Sequence, residues 1–588
     1  MNEPAALAPA AAMRGDERFL RGVFRRFLFP TVLSVLGGTI GGMVDCAIVG
    51  NLMGSRALAA ANLCGPIFQL CFTVGALIGT GAGLLAASFI GKNEEEKSRL
   101  CYTLAVAAEL LCGLALTAGG LLLLEPTVRL LGANEELRPM MLAYARVAFW
   151  GAPAKCLLFV PFNFLRLDGK PGAVSVSLLA MTGCNGLLDV LFIRLGWGLA
   201  GVALASVLGT CLGVGVGFWR LRGGGFSLIS PRGGARLFPS LLAMGSPVAL
   251  NNLLSTARLL VLNRILMNLG GSAMVAVFTV VCSMNDCALC LVTGVPQTAS
   301  PLVGIYCGER NNPGLRLLVR LQVLYGGALT CAFALLTALL PGGVCALFGL
   351  EATPQAVSAL RLLALALPFA LLCNILFYFY NASGRVGLAN GIALGRVFLF
   401  AVLPALLLSR LGATVWWFLP LAELLTLLAL WPALRRATAK NRALSPLLLL
   451  DETLDREGRV IDFSVENSLA AVAEAAERIG GFCEQNGLSP KQTMAVSLSI
   501  EEMLTILLEH CFQPGDGSTA DVRVFAVQGV VGLRIRGAGR PFNPLAYYES
   551  HPELDEMGEA LGIRMILKLA ADVRYQRTFG VNTLTILL

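Results

Sequence analysis

Asn185 and Asp189 stand four residues apart within an apolar stretch, 172–193, and Asp45 lies within another, 27–50. A spacing of four places the amide and the carboxylate on one face of a helix. A charge at mid-bilayer costs on the order of 2.5–3.5 kcal/mol, so each needs a reason to be there. A carboxylate with an amide oxygen one turn away offers hard oxygen donors to a small cation, or a seat for a proton. The alternative is that each Asp hydrogen-bonds a neighbouring helix. Asp45 follows Gly38 and Gly42, within two overlapping GxxxG patterns that permit close helix approach. In the second half, Glu423 and Asp286 are weaker acidic candidates, with Arg258 and Arg264 either pairing with them or snorkelling to an interface.

The elements that must hold these groups are set by composition. Of 588 residues, 56% are hydrophobic and only 14% charged, and the mean hydropathy is +0.72. Soluble domains average roughly a quarter charged residues, so a bilayer is indicated. Twelve apolar stretches have the length of a spanning helix: 27–50, 60–88, 100–123, 138–160, 172–193, 198–219, 243–267, 273–300, 318–340, 356–380, 387–408 and 413–434. Lys and Arg crowd the N-terminus and alternate loops, among them Lys92, Lys97 and Arg99, then Arg220 to Arg236, then Arg435 to Arg442. The positive-inside rule therefore predicts both termini in the cytoplasm, which requires an even number of spans. Acidic residues preceding the first apolar stretch argue against a cleavable signal peptide.

Residues 451–588 carry 20 Asp and Glu against 12 Lys and Arg, a net of −8, while the whole chain is +8 and residues 1–450 therefore +16. A basic membrane part thus joins an acidic soluble part, and the basic excess serves orientation rather than nucleic-acid binding. The predicted divisions are a cytoplasmic N-terminal segment 1–26, a first membrane repeat 27–219, a linker 220–242, a second repeat 243–436, a linker 437–457 and a domain 458–588. Most of the seventeen cysteines lie in apolar runs and read as packing, the Cys287-x-x-Cys290 pair included. The only histidines, His510 and His551, belong to the soluble domain. The run Gly79-Thr80-Gly81-Ala82-Gly83 lacks the strand that a phosphate loop requires and also reads as packing.

The chain repeats itself. Pro30, Gly54-Ser55, Gly91 and Leu130-Leu131-Gly132 each find a counterpart 217 residues later, at Pro247, Gly271-Ser272, Gly308 and Leu347-Phe348-Gly349. Pro153 and Gly169 match Pro368 and Gly384 at 215. Six spans per half make the halves parallel repeats, an arrangement that places a substrate path at their interface and supports rocking between two open states.

Four segments, Met43 to Gly50, Leu165 to Pro171, Asn185 to Asp189 and Gly201 to Ser206, together resemble the multidrug and toxic compound extrusion (MATE) transporters over about residues 20–440. The resemblance implies antiport, with Na⁺ or H⁺ entering and an amphipathic, often cationic, small molecule leaving across the plasma membrane. It assigns the coupling cation to Asp45, Asn185, Asp189 and, with its hydroxyl kept, Ser206. Asp45, Asn185 and Asp189 would ligate the metal if the coupling ion is Na⁺.

Residues 458–588 read as an α+β sandwich: a strand at 460–465, helices at 468–486 and 490–512, a hairpin at 520–527 and 530–536, a helix at 561–570 and a final strand at 582–588. They resemble the anti-sigma-factor serine kinases of the histidine-kinase-like ATPases through Ser499 to His510, Gly539 to Pro544 and Leu561 to Ile566. The family's Mg²⁺-binding Asn falls on Ile506, and its adenine-reading Asp on Gly537, which has no side chain to accept a hydrogen bond. Its glycine-rich loop is reduced to Gly558 to Gly562, with Glu559 where phosphates approach. Glu502 and His510 remain, and Gly539 opens a retained motif. No ATP, Mg²⁺ or kinase activity is expected of this degenerate nucleotide site. A regulatory role is expected, with a cytoplasmic protein as a partner. The competing classes are a membrane-tethered kinase and a flippase for lipid-linked precursors.

Overall fold

The computed structural model describes residues 9–588 except 93, 132–134, 136, 232, 349, 412–413, 454–456, 458, 513–517, 528–529, 538, 552–560 and 579–580. Gly132, Gly349 and the Gly558 to Ala560 part of the reduced loop therefore lie outside the described residues. The membrane part is helical throughout. In chain order its long helices are α1 (Pro9–Met53), α2 (Arg56–Gly91), α3 (Glu95–Leu122), α4 (Arg138–Trp150 and Ala152–Leu167), α5 (Pro171–Arg194) and α6 (Gly198–Leu221). The second half supplies α7 (Gly234–Gly271), α8 (Ala273–Gly308), α9 (Asn312–Leu339), α10 (Pro354–Ala382), α11 (Val386–Leu411) and α12 (Val415–Lys440). Among the described residues, ten helices are long and apolar enough to span; α4 is an eleventh bent by 54° at Gly151, and α1 contains the stretch 27–50.

The repeat is written into the backbone. Gly54 and its counterpart Gly271 have φ of 86° and 62°, and Gly169 and Gly384 share φ 76°. A left-handed residue is cheap only for glycine, so each pair marks one tight connection used twice. The two halves meet unevenly. On the side carrying the C-terminal domain, one apolar core gathers residues of both repeats, including Phe24, Ile90, Phe164, Leu302, Tyr306 and Phe379. On the far side each repeat has its own core, around Val49, Met141 and Val202 in the first and Leu266, Leu363 and Trp416 in the second. Among the described residues, the core that the halves share therefore lies at the domain side.

The C-terminal domain runs β1 (Val460–Glu466), α13 (Leu469–Gln485), α14 (Pro490–Cys511), β2 (Thr519–Val527), β3 (Val530–Gly537), α15 (Pro544–Ser550), α16 (Leu561–Leu569), β4 (Asp572–Thr578) and β5 (Val581–Leu587). The sheet order is β1-β2-β3-β5-β4, antiparallel throughout. A capping box of Ser489 and Gln492, followed by Pro490 at the first helical position, starts α14. Helices α13, α14 and α16 bury Ile479, Leu504 and Ile566 on one face of the sheet, with Val522, Leu533 and Leu584. The sequence reading has no counterpart for α15 or β4. β4 is an edge strand rich in polar residues, Asp-Val-Arg-Tyr-Gln-Arg-Thr, whose apolar alternation is limited to Val573 and Tyr575 and stops at Arg577.

Candidate functional site

Small residues bring α1, α5 and α6 together. A Cβ on Gly41 would stand 2.9 Å from the Thr182 methyl, and one on Gly209 would stand 2.8 Å from the Met181 carbonyl oxygen and 3.1 Å from the Asn185 Cβ. Such side-chain-free contacts let helices approach closely within a bilayer. Of the overlapping patterns near Asp45, Gly37 and Gly41 make the contact with α5, whereas Gly38 and Gly42 line a cavity.

That cavity, about 170 Å³, is walled by Asp45, Lys155, Thr182, Asn185, Ser206 and Thr210. Asn185 Nδ2 donates to Asp45 Oδ1 at 2.6 Å. Asp189, fully buried one turn below, interacts electrostatically with the Asp45 carboxyl. Among the described residues, both oxygens of Asp189 and the Oδ1 of Asn185 are buried with no hydrogen-bond donor beyond the neighbouring Asp45 carboxyl. Buried polar atoms are normally paired, so these three oxygens need a ligand or a proton. All four residues assigned by resemblance, Asp45, Asn185, Asp189 and Ser206, thus fall on three adjoining helices. Their donors are hard oxygens, which fits Na⁺, and a shared proton fits equally.

Lys155 of α4 escaped the sequence reading. Its ammonium shares the cavity, interacts with Asp45, and lies 4.9 Å from the Phe68 ring centroid. The available signal was a Lys five residues inside the end of the apolar 138–160 stretch.

In the second repeat Glu423 has a partner that the sequence reading did not name. Glu423 is held by Arg396, whose Nε donates to both carboxylate oxygens at 2.6 and 2.7 Å. Arg396 sits in a π-helical segment, Ala393–Leu399, whose wide turn re-aims it toward α12. Arg258 interacts with both Glu423 and Asp286, as one of the expected pairings had it, and Arg264 is exposed. Gly79 packs against Glu109 and Phe159 within a second π-helical segment, Ala76–Thr80. Cys287 and Cys290 sit on one helix, Cys290 Sγ donating to the Asp286 carbonyl.

In the soluble domain, Ile506 and His510 lie on α14, and the His510 Nδ1 pairs with the Ile506 carbonyl oxygen at 3.0 Å. The His510 ring stacks on Phe542 at 4.2 Å. Gly537 is buried against Phe512, Gly539 against the Cys511 carbonyl, and the Glu502 side chain fills the space beside Gly562. Two pairs of the groups in this position thus touch, Glu502 with Gly562 and Ile506 with His510.

The MatE family model matches residues 30–193 and again 247–407, and a histidine kinase-like ATPase domain model matches 465–588. The chain is 27% identical over 183 residues to the multidrug export protein MepA of Staphylococcus aureus, and 26% over 197 residues to that of Staphylococcus haemolyticus. These alignments take in 31% and 34% of this chain, and the chain spans 41% and 43% of those relatives. Among solved structures, the outward-facing conformation of a multidrug resistance MATE transporter of the MOP superfamily matches with a TM-score of 0.65 at 22% identity, over 74% of this chain and all of that one. A mutant of the Vibrio cholerae MATE transporter VcmN matches at 0.67 and 20% identity, over 72% and 98%. These structural likenesses establish the fold. Since the family model matches twice, 217 residues apart, and together spans more than half the sequence, the chain belongs to the MatE family.

Proposed function

We propose that the protein is an exporter of amphipathic or cationic small molecules, driven by Na⁺ or H⁺ entering through the first repeat. The observation that supports this reading is the membrane-buried set of Asp45, Asn185 and Asp189 beside a cavity, with three oxygens that meet no donor among the described residues beyond the Asp45 carboxyl. Two carboxyls in a poorly solvated place repel, and a cation or proton between them relieves the repulsion. Loading the site favours one arrangement of α1 against α5 and expels the substrate, while the inward gradient empties it on the other side. Each charge crossing contributes about 2.3 kcal/mol per 100 mV, nearly fifty-fold in accumulation. On this reading the protein sits in the plasma membrane with both termini and the C-terminal domain cytoplasmic, as the loop charges predict. The C-terminal domain is a regulatory module that neither binds ATP with Mg²⁺ nor phosphorylates, because Ile506 and Gly537 supply no ligand for either.

The test is drug efflux from proteoliposomes under separately imposed Na⁺ and pH gradients. Transport that follows one gradient and disappears when that gradient is collapsed supports the proposal. Transport indifferent to both gradients would overturn it.

A further inference from the structure

Strands β2 and β3 alternate. Val522, Val524, Leu533 and Ile535 face the helices, so Arg523, Arg534 and Arg536 face the other way. Such an alternate polar face usually meets water. Here the three arginines are 4%, 8% and 6% exposed. What covers them is the membrane part of the same chain. Glu309, which caps α8, pairs with Arg536 and, at 3.4 Å, with Arg534. The Arg536 guanidinium lies over the Tyr306 ring at 5.0 Å, and Arg523 donates to the Arg310 carbonyl oxygen at 2.9 Å and to Asp462 at 3.0 Å.

These contacts span both repeats. Val23 of α1 and Ile90 of α2, Leu302 and Ile305 of the second repeat, and Val581 of β5 close round one small cavity of about 40 Å³. β1 and β2 also pack on α1. The connecting strap is tied to the second repeat. Tyr380 Oη donates to the Leu447 carbonyl at 2.6 Å, Asn312 Nδ2 to that of Asp451 at 2.6 Å, and Arg316 pairs with Glu452. The place so covered is where the repeats are packed together and where inward opening must part them.

We propose that the C-terminal domain is a clasp: its arginine face on Glu309, with Val581 seated between the repeats, holds the transporter closed on the cytoplasmic side. Inward opening then requires the domain to let go of one repeat. Glu309, Asp462 and Asp521 balance the three arginines, so loss of Glu309 leaves buried guanidinium charge unmatched and weakens the clasp more than any exposed contact would. This inference rests on the alternating-access reading above.

The test uses the full chain in nanodiscs, with non-canonical amino acids at the exposed Arg222 and Arg436 positions carrying a donor–acceptor dye pair. No drug and no gradient is present. The wild type is expected to show a predominantly short distance. Glu309→Gln, and separately Arg534→Gln with Arg536→Gln, should raise the long-distance population about tenfold or more, by the cost of unpairing a buried charge. The exchange Glu309→Arg with Arg536→Glu should return it toward the wild type. If both neutral variants stay folded by their melting curves and keep the wild-type distance distribution, the clasp is refuted. Because no transport is measured, this failure would leave cation-coupled export standing. Conversely, gradient-independent efflux would sink the export reading while the distance change survived.

Discussion

Gly91 of the first repeat and Gly308 of the second meet backbone to backbone. A Cβ on Gly308 would stand 2.9 Å from the Gly91 Cα and 2.6 Å from the Ser88 carbonyl oxygen. The two glycines are 217 positions apart and thus occupy equivalent places in the repeat. The pseudo-symmetry of the sequence converges on the contact where the halves are closed.

Any side chain at this contact must push backbone away rather than a yielding side-chain tip. Gly308→Val is expected to part the repeats on the domain side and to lower export at least tenfold. The parting is read by mass spectrometry of Cys307, half-buried in the wild type, whose alkylation by a membrane-impermeant reagent should speed up. Unchanged alkylation with normal export would contradict the steric argument.

Neutralising the cation site should uncouple transport. Asp45→Asn keeps the shape but removes the charge that accepts from Asn185, and Asp189→Asn leaves a single carboxyl. Each should reduce gradient-driven efflux by roughly a hundredfold, about 2.7 kcal/mol of coupling. Efflux assays in proteoliposomes decide it, and near-normal gradient-dependent efflux from either variant would remove that residue from the scheme.

Lys155 offers Asp45 a resident positive charge. Its ammonium interacts with the Asp45 carboxylate and so competes with an added cation for it. Lys155→Met should therefore tighten binding of an added cation at Asp45 by about tenfold or more. The comparison is the Na⁺ or H⁺ concentration for half-maximal efflux in the two proteins, and an unshifted midpoint counts against a role for Lys155.

The soluble domain should ignore nucleotide. A fluorescent ATP analogue with Mg²⁺ is expected to give no saturable signal, and ATP should leave the melting temperature unchanged, since binding to the folded state alone would raise it. Ile506→Asn by itself should not restore binding, because Gly537 still offers no acceptor to the base. Saturable micromolar binding to the wild type would reverse this assignment.

Acid should loosen the strap. The Asp451 carboxylate accepts from the Thr453 hydroxyl at 2.5 Å and the Thr453 backbone N–H at 3.1 Å, which holds it below the usual carboxylate range. A depressed folded-state value means that the stabilisation is present above the ordinary Asp range, near 4, and fades as pH falls through and below it. Protease cleavage within 437–457 should accordingly rise between about pH 4 and pH 3, and rise less in Asp451→Asn. Equal acid sensitivity of the two proteins would show that other groups govern the strap.

Much of this was open to reading along the chain because it follows from local chemistry. Spanning stretches follow from the cost of exposing polar backbone to lipid, and the repeat from glycines and prolines whose backbone roles recur. The spacing of Asn185 and Asp189 declares a shared helical face. β4 and α15 were hidden because an edge strand and a two-turn helix carry little periodic signal. Other features came only from bringing distant segments together. Lys155 reaches the Asp45 cavity because α4 bends, and Glu423 is hydrogen-bonded by Arg396, carried on a π-turn, as well as facing Arg258. Arg523, Arg534 and Arg536 alternate as a solvent-facing set would, and only packing against Glu309 and Arg310 shows them buried. Burial of a charge depends on what another part of the chain places over it, which no spacing along a strand can specify.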